Sequence, residues 1–428
     1  MNRIVFIFLL LATRFSVFAE QRGDTQLSLS DARARALANH PRISAAELKA
    51  LAAQSVVFQA RAPLLPLVNA NLTKVESFTE NTRIGAGGMN NPVIFDRVAV
   101  GVAVNQLVTD FGRTFHQLAG SKLRSRAEAE ATRAARNLLL LQVSTNFYTV
   151  LQQQEILRVA RKTVSTRRAV LEQVSGLASN QLKSELDVSF ARVNYQEAEL
   201  LLAKSENDLK AAQLGMIAVL GLRDDWNYEL VEEAGSSEEM APMETLISGA
   251  FDHRPELSRL RLEVEAARHS AGAEKALSRP SVTAFASLGN IPVRDQRLPQ
   301  NYAAAGVNVS VPVFAGGLNS ARRSEAEIKV RITESNLRDE ENQIIRDLKI
   351  AYQNVTFSKK KYALQQELLK HAQNSFSLAQ SRYELGSSSI VELGQAQLNQ
   401  TAAEIAFAVS RYDYLLHLAI LDFHRGEP

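Results

Sequence analysis

The amino-acid sequence predicts a mainly α fold with a small β part. Long coiled-coil helices build an α-barrel, and four short strands per chain contribute to a β-barrel shared between copies. Three observations carry that prediction. Apolar residues recur every seven positions over long stretches. The chain states one plan twice. Four short segments alternate apolar with small or polar residues, at matching places in the two halves.

The chain begins with a leader pattern. Arg3 precedes an apolar run from Ile4 to Ala12, and Val17-Phe18-Ala19 ends a second short stretch with small or aliphatic residues where a signal peptidase reads. Residues 1–19 are therefore expected to be a secretory signal peptide, too short to span a bilayer. The formal charge is +3; losing Arg3 and Arg14 leaves +1, so the basic pI is no argument for nucleic acid. The chain has no cysteine, which removes disulfides, thiolate metal sites and a Cys-linked lipid anchor. No later segment holds about 18 uninterrupted apolar residues, so no helix is expected to cross a membrane.

The repeat organises the rest. The heptad row Val143, Val150, Leu157, Val164, Leu171 maps onto Leu348, Val355, Tyr362, Leu369, Phe376, with Tyr383 extending the second row. The offset, 348 minus 143, is 205. Gly101-Val102 and Gly306-Val307 keep it. Upstream, His40-Pro41 matches Arg254-Pro255 and Pro66 matches Pro280 at an offset of 214, so the first half holds nine extra residues in a surface loop.

Each half is read in the same order: 20–222 is the first repeat and 243–428 the second. An amphipathic helix covers about 28–62, and again about 243–278, ended by Pro63 and Pro66 or by Pro280. Two strands follow, 67–77 and 98–108, then 282–290 and 302–313. A long helix runs 113–175, then 318–383, and a return helix 184–221, then 388–424. A strict seven-residue period implies a left-handed supercoil. On its own it says that helices pack side by side, not what the assembly does. Between the repeats, 223–242 is read as an acidic linker. Its acids, among them Asp224, Asp225, Glu232 and Glu239, have no regular spacing and suit a solvated connector better than a metal site. Trp226 and Tyr228 would pin it to the helices.

The strands carry the functional argument. Val98, Val100, Val102 and Val104 alternate with Ala99, Gly101, Ala103 and Asn105; Val307, Val309, Val311 and Val313 do the same against Gly306, Asn308, Ser310 and Pro312. One apolar and one small or polar face fits a lipid-facing barrel with a wet lumen, and also a small soluble sheet covered by a helix. If lipid surrounds it, four strands cannot close a barrel and open edges are not tolerated, so several chains must share one; three give 12 strands. The loops Glu80–Asp96, with Gly85-Ala86-Gly87-Gly88, and Asn290–Asn301 would then lie outside the cell.

Over essentially its whole length after residue 19 the chain resembles the TolC family of outer-membrane efflux and secretion channels. The likeness rests on the repeat, on the strand-to-helix junctions Asp110-Phe111-Gly112-Arg113 and Val311-Pro312-Val313-Phe314-Ala315-Gly316-Gly317, and on the helix–turn–helix from Arg382 to Leu393. It implies a homotrimer in outer-membrane lipid, with a long periplasmic tunnel that meets a periplasmic adaptor (membrane fusion) protein and an inner-membrane transporter. By match, Arg382, Leu385, Gly386 and Ser388 form an adaptor-docking tip. Gly386 permits the sharp turn and Leu385 offers an apolar contact. The first tip, Gly176 to Gln181, departs from the Arg-Tyr-x-Leu-Gly form. Some family members close the tunnel with charged residues near the tips. Here the second long helix has no carboxylate between Glu367 and Glu384, so a constriction lined by Gln373, Asn374, Ser377, Gln380 and Ser381 is expected.

Signatures of catalysis are missing from the sequence: no HExxH, no phosphate loop with its Lys-Ser/Thr, no nucleophile elbow. The seven histidines are scattered, without metal-ligand spacing on one helix face. No cofactor and no enzyme activity are expected. The leading reading is a passive exit duct for efflux or type I secretion; the alternative is a periplasmic coiled-coil scaffold without a membrane barrel.

Overall fold

The computed structural model describes residues 26–76, 82–83, 93–94, 96–223, 225–232, 240–294 and 299–427. The expected leader at 1–19 lies outside them, as do Gly85–Gly88 and the linker acids Asp224, Glu233, Glu238 and Glu239.

In chain order the elements are β1 (Gln26–Leu27), α1 (Leu29–Asn39), α2 (Pro41–Arg61), β2 (Leu67–Val75), β3 (Thr82–Arg83), β4 (Val93–Ile94), β5 (Arg97–Thr109), α3 (Arg113–Ser179) and α4 (Glu185–Leu220). The second half follows with β6 (Glu229–Leu230), α5 (Met243–His253), α6 (Pro255–Ala276), β7 (Ser281–Val293), β8 (Asn301–Ser310), α7 (Leu318–Glu384) and α8 (Ile390–Arg425). Shifting α3 and α4 by 205 lands on α7 and α8 without remainder; shifting α1 by 214 lands on α5. At 67 residues, α3 and α7 are each about 100 Å long.

The structure corrects the amphipathic helices. Each expected single helix, 28–62 and 243–278, is two. The break falls at His40-Pro41 and at Arg254-Pro255. A residue before proline is pushed out of the α region, and His40 (φ −74, ψ 122) and Arg254 (φ −72, ψ 118) are extended. Each proline then opens the next helix, where its missing N–H costs nothing. The strand expected over 302–313 stops at Ser310, short of Pro312, which has no N–H to offer a neighbour. In the other direction β7 runs on to Val293 and α3 to Ser179.

The main sheet has the order β2-β5-β7-β8, antiparallel throughout. Its register fixes its faces. Ala70, Val102, Leu288 and Ala303 form one cross-strand row, and Val68, Val104, Ala286 and Ala305 the next on the same side. The opposite side carries Asn69, Ala103, Ser287 and Ala304, then Asn71, Gly101, Gly289 and Tyr302. One face is thus aliphatic across four strands, the other small and polar. Among the described residues β2 and β8 are unpaired on their outer sides.

Below the sheet the helices pack along their length around three apolar clusters. The largest joins α1, α3 and α4 to Leu27, Leu230 and Tyr412; Trp226 and Tyr228 lie against it. These two rings stand edge to face at 5.6 Å, and Arg35 sits over Tyr228, so the described part of the linker is pinned to the helices. A second cluster centres on Leu348, Val355 and Leu421, a third on Val174, Tyr383, Ile390 and Leu393 at the far end of the bundle.

Candidate functional site

Three places along the molecule collect the residues singled out in the sequence. The first is the sheet. On its polar face Tyr302 folds down over Gly289 and reaches Gly101; a Cβ at Gly289 would stand 2.6 Å from the Tyr302 ring. Phe285 lies over Gly306 in the same way. The two aromatic rings fill glycine gaps instead of standing off the sheet. On the other face Leu72, Leu288 and Val307 are exposed, Leu72 at 75%.

The second place is the strand-to-helix junction. Phe111 (φ 53) and Gly112 (φ 103) are both left-handed, and so are Gly316 (φ 59) and Gly317 (φ 84), 205 residues on. Two consecutive left-handed residues turn each strand into its helix. The second junction uses glycine twice; the first accepts a strained phenylalanine. Asp110 holds it there. Its carboxylate accepts from the Gly112 N–H (3.3 Å), the Thr114 N–H (2.8 Å) and the Thr114 hydroxyl. Arg279 donates to the Phe111 carbonyl at 2.8 Å and ties the turn to the connection between α6 and β7. Asp110→Ala is expected to cost about 1 kcal/mol, the worth of a lost helix cap, with Asp110→Asn retaining part of it; paired thermal melts of the two variants check this. Phe314 stands free beside the second junction, 88% exposed.

The third place is the pair of turns at the far end. At the second tip Arg382 donates to Glu392 at 2.9 Å, and the Ser388 hydroxyl donates to the other oxygen of the same carboxylate at 2.8 Å. Two residues of the proposed docking set therefore meet on a residue the sequence analysis did not assign. Its signal was present: Ser389-x-x-Glu392 is a helix-start pattern, and the Ser389 hydroxyl accepts from the Glu392 N–H. Gly386 has φ 73, and Leu385 projects with 83% of its surface exposed.

The first tip solves the same turn with other residues. Gln181 (φ 57) occupies the place of Gly386, and Ser184 with Asp187 forms a reciprocal capping box. Hydrogen bonds from Ser184 hold the Asp187 carboxyl below the usual carboxylate range. The tips touch: the Lys183 ammonium sits 4.4 Å over the ring of Tyr383. Tyr383 is buried, its hydroxyl has no partner among the described residues, and burial pushes its pKa up.

The five residues expected at the constriction, Gln373, Asn374, Ser377, Gln380 and Ser381, are exposed on the last turns of α7. Gln380 donates to Glu384 at 3.1 Å and Ser381 to the Ser377 carbonyl at 3.0 Å. On the second tip Glu384 and Glu392 sit at the turn itself, C-terminal to that set. Among the described residues no group of three or more His, Cys, Asp or Glu gathers as a metal cluster, and no helix is long and apolar enough to cross a membrane.

Comparison with known proteins adds the following. The family model described as outer membrane efflux protein matches residues 32–222 and 246–426. The cobalt-zinc-cadmium resistance protein CzcC of Cupriavidus metallidurans is 24% identical over 388 residues, 89% of this chain and 85% of that protein. The pyoverdine export outer membrane protein OpmQ of Pseudomonas aeruginosa is 24% identical over 381 residues, 87% of this chain and 79% of that protein. The crystal structure of the Campylobacter jejuni CmeC outer membrane channel superposes with a TM-score of 0.83 at 15% identity, covering 93% of this chain and 85% of that one.

Proposed function

The chain belongs to the outer membrane efflux protein family, and from that premise we propose that three copies share one barrel and one helical tunnel, met at the tips by a periplasmic adaptor and served by an inner-membrane transporter. The protein is an outer-membrane channel for efflux or secretion with a long periplasmic portion.

One observation carries the trimer: an aliphatic sheet face that ends in two unpaired edges, β2 and β8. Lipid tolerates no open edge, so β8 of one copy pairs β2 of the next, and three sheets of four strands close a ring of twelve. The helices make the same demand. Leu200, Phe357 and Leu378 are exposed on the single chain and need neighbouring copies to cover them. A periplasmic scaffold leaves the aliphatic face without a purpose. Purified, detergent-extracted protein should run as a trimer and give discrete single-channel conductance in planar bilayers. A monomer without conductance overturns the shared barrel.

At the tips, Arg382 and Ser388 brace Glu392 and so hold the turn that presents Leu385 to the adaptor. Gln373, Asn374, Ser377, Gln380 and Ser381 line the narrowest part of the tunnel with amides and hydroxyls. Relatives named for cobalt-zinc-cadmium resistance and for pyoverdine export both align with most of this chain, and cargo choice belongs to the transporter. Leu385→Glu should leave trimer yield and conductance unchanged while weakening adaptor capture about tenfold or more, the loss of one buried leucine contact. Capture of purified adaptor on immobilised trimer reads this, and unchanged capture removes Leu385 from the docking surface.

A further inference from the structure

The junction between sheet and tunnel holds a feature that a conduit does not require. His116, in the first turn of α3, and His269, near the end of α6, face each other with their Nδ1 atoms 3.1 Å apart. The ring centroids are 5.3 Å apart and the planes tilted by 49°. The two residues are 153 positions apart in sequence, so the contact exists only in the folded chain.

The helix α6 leaves room for the His116 ring. Gly272, one turn beyond His269, lies under the His116 ring: a Cβ there would stand 2.8 Å from its Cε1 and Nδ1. Gly120, one turn beyond His116, faces His269; a Cβ there would stand 3.6 Å from the His269 Cβ and 3.4 Å from the Ala266 carbonyl. A glycine inside a helix is disfavoured against alanine. Gly272 stands where α3 brings the His116 imidazole, while at Gly120 a Cβ would make only ordinary contact.

We infer that His116 and His269 form a two-histidine site for a divalent transition-metal ion such as zinc or cobalt, placed between the sheet and the helical tunnel. The nitrogen separation fits. Two imidazoles bound at about 2.05 Å sit about 3.3 Å apart on a tetrahedral centre and about 2.9 Å apart on an octahedral edge. The observed 3.1 Å lies between. In the metal-free protein that distance is spanned by one N–H···N hydrogen bond. Binding replaces it: the donor ring moves its proton from Nδ1 to Nε2, both Nδ1 lone pairs turn onto the metal, and a neutral pair releases no net proton. No third His, Cys, Asp or Glu joins the two among the described residues, so water completes the coordination and the site exchanges its metal readily.

The test uses full-length protein in detergent, stripped of metal and titrated with zinc by calorimetry at neutral pH, and with cobalt followed by visible absorption. One metal per chain is expected in the native protein and in His371→Phe, an exposed histidine on α7. His116→Phe and His269→Phe should each bind at least tenfold more weakly. Gly272→Ala should also weaken binding, because it displaces the His116 ring while leaving both ligands in place. If the phenylalanine variants fail to assemble, native protein is treated with diethylpyrocarbonate: zinc should protect His116 and His269 and leave His371 reactive. Zinc binding that survives both phenylalanine variants, or zinc that protects neither histidine, overturns the site and leaves a simple hydrogen bond.

Discussion

Lysine at Val102 should keep the protein out of the membrane, and lysine at Ser287 should not. The two positions lie on neighbouring strands, one cross-strand row apart. Val102 pairs with Ala70 and Leu288 in the aliphatic face, while Ser287 pairs with Ala103 and Ala304 in the small, polar one. A lysine on the lipid face near the bilayer midplane costs about 2–4 kcal/mol per chain. In a trimer the cost falls three times on one barrel and approaches the whole stability of a small domain. On the lumen face the same ammonium stays in water. The check is the fraction of heat-modifiable trimer recovered in outer membranes, or in lipid vesicles after refolding. Val102→Lys should lose most of it, and Ser287→Lys should match the native protein. Equal recovery of both would mean that the aliphatic face meets protein and not lipid.

That comparison rests on a feature the sequence displayed openly. A period of two is a local property, and Val98 to Val104 show it without knowledge of their partners. The heptad rows are local in the same sense. They place Val143, Val150, Leu348 and Val355 on buried seams, where the structure has them. The resemblance supplied what local patterns lack, the expectation that three chains share one barrel and one tunnel.

What escaped depended on single residues or on distant ones. The breaks at Pro41 and Pro255 were visible as prolines, but the apolar pattern continues through both, and a period count alone runs past them. Glu392 sat inside a helix-start motif. Its partner Arg382 lies ten residues away on the opposing helix, and only the turn brings them together. His116 and His269 belong to different repeats and have no shared motif. Gln181 in the place of Gly386 shows a further limit. A left-handed turn is legible when glycine marks it, and passes unnoticed when the surrounding helices force another residue into it.

The two repeats are equal in plan and unequal in core, which sets up the second large effect. Phe147 is 1% exposed at the centre of the largest cluster, edge to face with Tyr148 at 5.9 Å. Around it pack Ala32 and Ala36 from α1, Met216 and Leu220 from α4, and Leu27 and Leu230 from the short strand pair. Its counterpart 205 residues on is Tyr352, which lies at the margin of the smaller second cluster, partly buried. The linker strand β6 joins the first cluster and brings its neighbours Trp226 and Tyr228 with it, which is why the first repeat buries a full ring where the second does not. Phe147→Ala should therefore cost about 3–5 kcal/mol, as deletion of a fully enclosed aromatic ring does. Tyr352→Ala should cost about 1–2 kcal/mol, the range of a partly buried side chain. Thermal unfolding of detergent-solubilised protein, followed by circular dichroism at fixed protein concentration, ranks the pair, and fixed concentration matters because subunit association adds to apparent stability. The reverse ranking would show that a neighbouring copy covers Tyr352 more completely than its own chain does. The first cluster would then stabilise the protomer, and the second repeat would draw its stability from assembly.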